Sequence, residues 1–222
     1  MFEMTPELYI VLVYIQTGLS AFIAGFAFWK FNSRDQIVKL IGLAFLLGFL
    51  SNSAALVMNL IFKLNPNLPQ SIYKILIFWV LGAIYYHALG KRNKLIYILL
   101  SLAFTVFALI NLLVIQKSQI NSYASIVTAI IIIIYAVHYF YRLMIDLPTL
   151  NLQRLPMFWF NAAFLLFYSG ALFLFVFTDY LVNVLNNNLL VYWGFHNILN
   201  IVAHLIMLVG LWIDLRNIKS PS

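Results

Sequence analysis

Apolar residues run along this chain in long blocks rather than in the alternating pattern of a half-buried strand. Crossing ~30 Å of hydrocarbon at 1.5 Å per residue takes roughly 20 residues of helix. Seven stretches meet that length, at about residues 9–29, 40–62, 71–89, 95–115, 123–141, 157–181 and 189–213. The pattern predicts an all-α integral membrane protein, a seven-transmembrane-helix bundle forming a single domain over residues 1–222. The connections are too short to hold a folded domain outside the bilayer.

The breakers agree with these blocks. Pro6, Pro66, Pro69, Pro148, Pro156 and Pro221 all fall in tails, connections or first helical turns, where a missing N–H costs nothing. No span contains a proline or a glycine pair, so the unwound segments with which many transporters hold ions are not predicted. The halves of the chain show no internal resemblance. Small residues form two stripes: Gly18, Ala21 and Gly25 in the first span, and Gly48, Ser51, Asn52, Ala55 and Asn59 in the second. Such stripes let neighbouring backbones approach closely.

Composition sharpens the picture. Of the 222 residues, 64% are hydrophobic and 9% charged, against roughly a quarter charged in a soluble domain. The 13 Lys and Arg exceed the 6 Asp and Glu, but ten of the basic residues fall on one set of alternate connections and three on the other. The positive-inside rule then puts the N-terminus outside and the C-terminus in the cytoplasm, as seven spans require. The surplus charge reads as a topology signal with some attraction for anionic lipid, and nucleic acid is not an expected partner. A chain of this kind is expected as a multi-pass protein of a bacterial inner membrane. Its first residues, Met-Phe-Glu-Met-Thr-Pro-Glu, lack the basic region of a cleavable signal peptide, so the first helix is expected to be permanent. With zero cysteines there is no disulfide or thiolate chemistry.

All 19 charged side chains are expected at helix ends or beyond, which leaves the interior to uncharged groups and to His87, His138, His196 and His204. In the seventh span, Trp193, His196, Asn197, Asn200 and His204 fall within about a 100° arc, with Ile, Leu and Val opposite. A polar stripe facing lipid is expensive, so this face should look inward. Trp79 in the third span, Asn52 in the second and Ser169 in the sixth complete the candidate ligand-binding set. Asn161, Tyr168, Gly170, Thr105 and Asn111 are further polar or small positions that can line it.

Three chemistries are weighed against this site. Retinal is excluded in its usual chemistry, because the seventh span contains no lysine for a Schiff base. The His-x3-Asn-x3-His pattern looks like the His-x3-His of the seven-helix ceramidase and progestin-receptor-like superfamily. However, His196 and His204 stand eight residues apart, roughly 12 Å along a helix, and the acidic partner is missing, so no metal site is expected. Haem held by His87 and His138, which share a depth near the cytoplasmic end, is the remaining cofactor option. No catalytic residue is identified, and no cofactor is expected.

Phe158-Trp159-Phe160-Asn161, Phe167-Tyr168-Ser169-Gly170 and Trp193-Gly194-Phe195-His196-Asn197 resemble the seven-helix sensory regions that precede kinase domains in some bacterial histidine kinases. The resemblance covers roughly the C-terminal third in residues, and the whole chain in helix count and orientation. It implies a sensory or receptor-like role. Only about nine residues follow the last span, so signalling is expected to pass to a membrane or cytoplasmic protein partner through the basic connections, chiefly Arg142 to Pro156. The expected function is a stand-alone sensor of a small apolar ligand held within the bundle. The alternatives are an accessory subunit of a larger membrane complex and, behind it, a haem or metal-dependent intramembrane enzyme.

Overall fold

A computed structural model of the chain describes residues 5–116, 122–147, 151–183 and 189–219. Among these residues it forms seven α-helices and no strand: α1 (Pro6–Phe28), α2 (Gln36–Leu60), α3 (Asn67–Ala88), α4 (Lys94–Ile110), α5 (Ser122–Asp146), α6 (Pro156–Asn183) and α7 (Leu189–Lys219). A π-helical turn, Asn111–Ile115, continues α4. All seven helices are long and apolar enough to cross a membrane.

Several helices outrun their apolar blocks. α2 begins at Gln36 rather than 40, α5 continues to Asp146 rather than 141, and α7 runs to Lys219 rather than 213. Hydropathy registers only the apolar part of a helix, whereas backbone hydrogen bonding continues through polar residues until something stops it. The placement of charge is corrected accordingly. Lys74 lies well inside α3, and Asp214 is buried on α7 at 8% exposure. The one lysine of α7 is its last residue, Lys219, so the longer helix brings no amine into its apolar length.

The turn between α1 and α2 shows what a basic residue can do at such a boundary. The last carbonyls of a helix have no partner within it. Lys30 adopts a left-handed backbone, a 3-10 turn over Phe31–Ser33 follows, and the chain brings Arg34 back under the end of α1. The Arg34 guanidinium is buried and donates from Nε to the Trp29 carbonyl and from Nη2 to the Phe26 carbonyl, both at 3.1 Å. It also lies 5.5 Å from the centre of the Phe26 ring. A fixed positive charge at a helix C-terminus is favourable, and here it also closes the turn.

The chain divides into two compact units, residues 20–128 and residues 1–19 with 129–222. In the first, α3 packs between α2 and α4. Phe78 and Phe104 stack with centroids 3.9 Å apart, and the Trp79 indole donates to Thr105 Oγ1 at 3.0 Å, which donates in turn to the Ser101 carbonyl. At the far end of α4, Asn111 Nδ2 donates to Gln116 Oε1 and Gln116 Nε2 to Ser122 Oγ, at 2.9 and 2.8 Å. All three residues are buried, and the chain of bonds joins the π turn to the start of α5.

In the second unit α6 and α7 form the most extensive helix pair. Asn161 on α6 donates to the Ala136 carbonyl of α5 at 3.0 Å, so this polar position fastens helices instead of lining an opening. Two glycines let α6 and α7 close together. A Cβ on Gly170 would meet only the side chain of Leu199, at 2.5 Å, whereas one on Gly210 would lie 2.5 Å from the fully buried Phe160 ring and 3.1 Å from the Pro156 carbonyl. Leu199 can turn aside, but Phe160 and the backbone cannot without moving a helix. Gly210→Ala should therefore cost about 2 kcal/mol of stability and Gly170→Ala less than about 1 kcal/mol. Thermal unfolding of the two purified variants checks the order; equal midpoints would contradict it.

Candidate functional site

The inward face of α7 is built by a 3-4 repeat. Asn197, His204, Met207 and Leu211 are buried, and Trp193, His196 and Asn200 are half-buried. Phe195, Ile198, Val202 and Leu205 on the other side are exposed. A helix that is apolar on its exposed face and amide- and imidazole-bearing on its buried one keeps its hydrogen-bonding groups together, because each is costly to bury without a partner.

Three aromatic rings surround the His196 imidazole. Its centroid is 5.4 Å from Phe167 and 5.7 Å from Phe175, both on α6, and 5.7 Å from Trp193, which meets it edge-on at 82°. Tyr168 extends the group, its ring 5.0 Å from Phe167 in the same T-shaped manner. Tilted and edge-on contacts at these distances are attractive. They hold the imidazole in an otherwise apolar enclosure between the two helices.

Beside it, Asn197 is 6% exposed and is set against the Tyr9 hydroxyl of α1. Its buried Nδ2 makes no well-formed hydrogen bond among the described residues, and neither does the buried Thr17 Oγ1 on α1. A buried donor in that condition costs about 1–3 kcal/mol, so it calls for an explanation of its own. His204 is settled differently. Its Nδ1 lies 2.6 Å from the Asn200 carbonyl one turn earlier; since a carbonyl only accepts, Nδ1 carries the proton. His204 is thus tied to its own helix below the aromatic group.

Ser169 is exposed and donates back to the Leu165 carbonyl at 2.6 Å, a bond within its own helix. Trp79 and Asn52 belong to residues 20–128, and the Trp79 indole is engaged by Thr105. His87 is half-buried near the end of α3 with Tyr86 beside it, and His138 is exposed on α5. Among the described residues no three of His, Cys, Asp and Glu come together.

Phe167, Phe175 and Tyr9 are the members that reading the α7 stripe alone does not find. Phe175 is one of seven phenylalanines between 158 and 177, so nothing local separates it from lipid-facing rings. Tyr9 looks like an interfacial tyrosine until the packing of α1 is known.

Comparison with known protein families, with curated proteins and with solved structures finds no match to this chain. The site must be read from its own chemistry: an apolar wall, one imidazole and one buried amide. Replacing His196 by Phe should keep the ring contacts and leave stability within about 1 kcal/mol. His196→Ala removes all three and should cost about 2 kcal/mol. Unfolding midpoints of the two variants in one detergent check this, and an alanine variant as stable as the phenylalanine one would show that the enclosure does not hold the ring.

Proposed function

We propose that this chain is a seven-helix sensory or receptor-like protein of a bacterial inner membrane, with its N-terminus outside and its C-terminus in the cytoplasm. It binds a small, largely apolar ligand between α6 and α7 and passes its state to a protein partner through the basic cytoplasmic connections. The observation that carries the reading is the His196 enclosure with the Asn197 amide beside it. An apolar body can lie against Phe167, Phe175 and Trp193, while the buried Nδ2 of Asn197 supplies one directional hydrogen bond. Pockets that are mostly apolar with a few placed polar groups are the usual form of small-molecule sites. The resemblance of the aromatic motifs in α6 and α7 to the sensory regions of histidine kinases supports the same reading.

The test is native mass spectrometry of protein purified in mild detergent, followed by thermal titration with whatever small molecule is released. Ligand at 100-fold its Kd should stabilise the wild type by about 2.7 kcal/mol. Asn197→Leu, which keeps the volume and removes the donor, should lose that stabilisation while folding normally. Equal stabilisation of both proteins would sink the site.

A second reading, an accessory subunit docked in a larger complex, has its own observation. On α1, Val11, Ile15, Gly18, Phe22, Gly25 and Trp29 recur at alternating steps of four and three and are all exposed. A Cβ on Gly18 or Gly25 would meet nothing within 4 Å. Rings alternating with glycines suit close packing against another helix. Under this reading Gly18→Leu with Gly25→Leu releases a copurifying subunit; under the sensory reading it leaves ligand binding unchanged.

A further inference from the structure

Six of the 13 basic residues fall in two short segments, Lys30, Arg34 and Lys39 around the α1–α2 turn and Lys91, Arg92 and Lys94 around the α3–α4 turn. The fold brings both segments to one end of the unit of residues 20–128. The connections of residues 61–66 and 89–93 are short, which makes α2, α3 and α4 antiparallel neighbours with α3 in the middle. The start of α2, the end of α3 and the start of α4 therefore lie side by side, with neighbouring axes about 8–10 Å apart. Charges that close stand within about one Debye length at physiological salt, so their fields add.

Arg34 is turned inward and spent on the carbonyls of α1, whereas the other five cations are presented outward. Lys30, Lys91, Arg92 and Lys94 are exposed, and half-buried Lys39 lays its ammonium 4.6 Å from the centre of the exposed Phe31 ring. Asp35 is the one carboxylate between residues 20 and 128, so this end is strongly cationic. The α3–α4 turn is also fixed in shape. Gly90 takes a left-handed φ of 82°, and the Gly90 and Lys91 amides donate to the His87 and Tyr86 carbonyls at 3.3 and 2.9 Å. The α5–α6 segment, which the proposed function assigns to a protein partner, differs in charge: Arg142 is paired with Asp146 at 2.9 Å, and Arg154 is the one further charge before Pro156.

Apolar surface sets the level of these cations. Leu95, Leu99, Leu102, Val106 and Leu109 recur down α4 at alternating steps of four and three and are all exposed, and on α1 Phe22 and Trp29 are exposed in the same way. Both stripes stop at the basic end, where the adjoining residue is a lysine, Lys94 or Lys30. A soluble acidic partner makes no use of an apolar stripe in line with its charges, whereas a phospholipid carries both parts in one molecule. We propose that the two basic turns form a headgroup site for an anionic phospholipid of the adjoining leaflet. The phosphodiester sits against Lys91, Arg92 and Lys94, Lys30 and Lys39 supply a second cationic flank, and an acyl chain lies along the α4 stripe. The proposal rests on the membrane reading above and uses none of the residues of the α6–α7 enclosure.

The experiment compares the full-length wild type with three variants. One carries Lys91→Gln, Arg92→Gln and Lys94→Gln. A second carries Lys91→Arg and Lys94→Arg, which keep the charge. The third carries Lys63→Gln, Arg154→Gln and Arg216→Gln, three exposed cations outside the two turns, and matches the first in net charge. Each protein in mild detergent is offered phosphatidylglycerol and phosphatidylcholine with the same acyl chains, and bound lipid is counted by native mass spectrometry. The wild type, the arginine variant and the charge-matched variant should retain phosphatidylglycerol over phosphatidylcholine by about fivefold or more, and the first variant should lose that preference. Three results overturn the proposal: no preference in the wild type, an unchanged preference in the first variant, or an equal loss in the charge-matched one, which would mean general surface attraction. A soluble oligoglutamate peptide is offered in a separate arm. Its retention by the wild type without any phosphatidylglycerol preference would make the occupant an acidic protein segment, which also overturns the proposal. Alkaline extraction of the membranes is run in parallel. A chain that leaves the membrane refutes the membrane reading itself, and a chain that stays while the first variant keeps its preference refutes this inference alone.

Discussion

A chain that is 64% hydrophobic and 9% charged has to satisfy its backbone amides within itself, because an unpaired N–H or C=O in an apolar medium costs several kcal/mol. Helices meet that demand locally, which is why seven of them account for most of the described residues. What helices leave open is their ends, and there the scarce polar residues are used. Arg34 closes the last carbonyls of α1, and Asn111, Gln116 and Ser122 close the passage from α4 to α5. Asn161 makes a further polar tie, donating from α6 to a carbonyl of α5. The same scarcity makes any polar group not spent in this way conspicuous.

Helix number and approximate position were legible in the sequence because they depend on blocks of about 20 residues, a signal that no single substitution hides. The ends were less legible. α7 continues six residues past its apolar block to Lys219, since a helix needs only backbone partners to proceed. Lys74, expected at a helix end, stands two turns inside α3 because that helix begins at Asn67. The inward stripe of α7 could be drawn from its 3-4 spacing, but its partners could not. Phe175 and Tyr9 become identifiable only once α6 and α1 are packed against α7, because phenylalanine recurs throughout α6 and tyrosine is ordinary at a membrane interface. Ser169 shows the reverse case. It sits in the recognisable Phe167-Tyr168-Ser169-Gly170 run, yet its hydroxyl is spent on the Leu165 carbonyl and its side chain faces outward.

Packing along the α6–α7 pair is uneven, and that bears on how occupancy of the enclosure would be felt. Near its C-terminal end, Gly210 admits the buried Phe160 ring so closely that no Cβ would fit. Contacts of that kind have one arrangement and resist sliding. Toward the other end, His196 is held by rings 5.4–5.7 Å away in tilted and edge-on geometry, and the neighbouring Asn197 carries a buried donor without a well-formed bond. In the sensory reading, a ligand entering there gains a hydrogen bond and changes the spacing of α6 and α7 beside His196. Near Gly210 the two helices stay fixed. In that reading the motion expected is a small splay about the Gly210–Phe160 contact rather than a translation of α7, which a rigid helix pair would carry into the elements attached to it. Asn217 on the last turn of α7 bonds the Arg154 carbonyl just before α6, on the far side of that contact. In the sensory reading this segment, with Arg154 in the connection between α5 and α6, is where a change at His196 reaches a surface that a partner can touch.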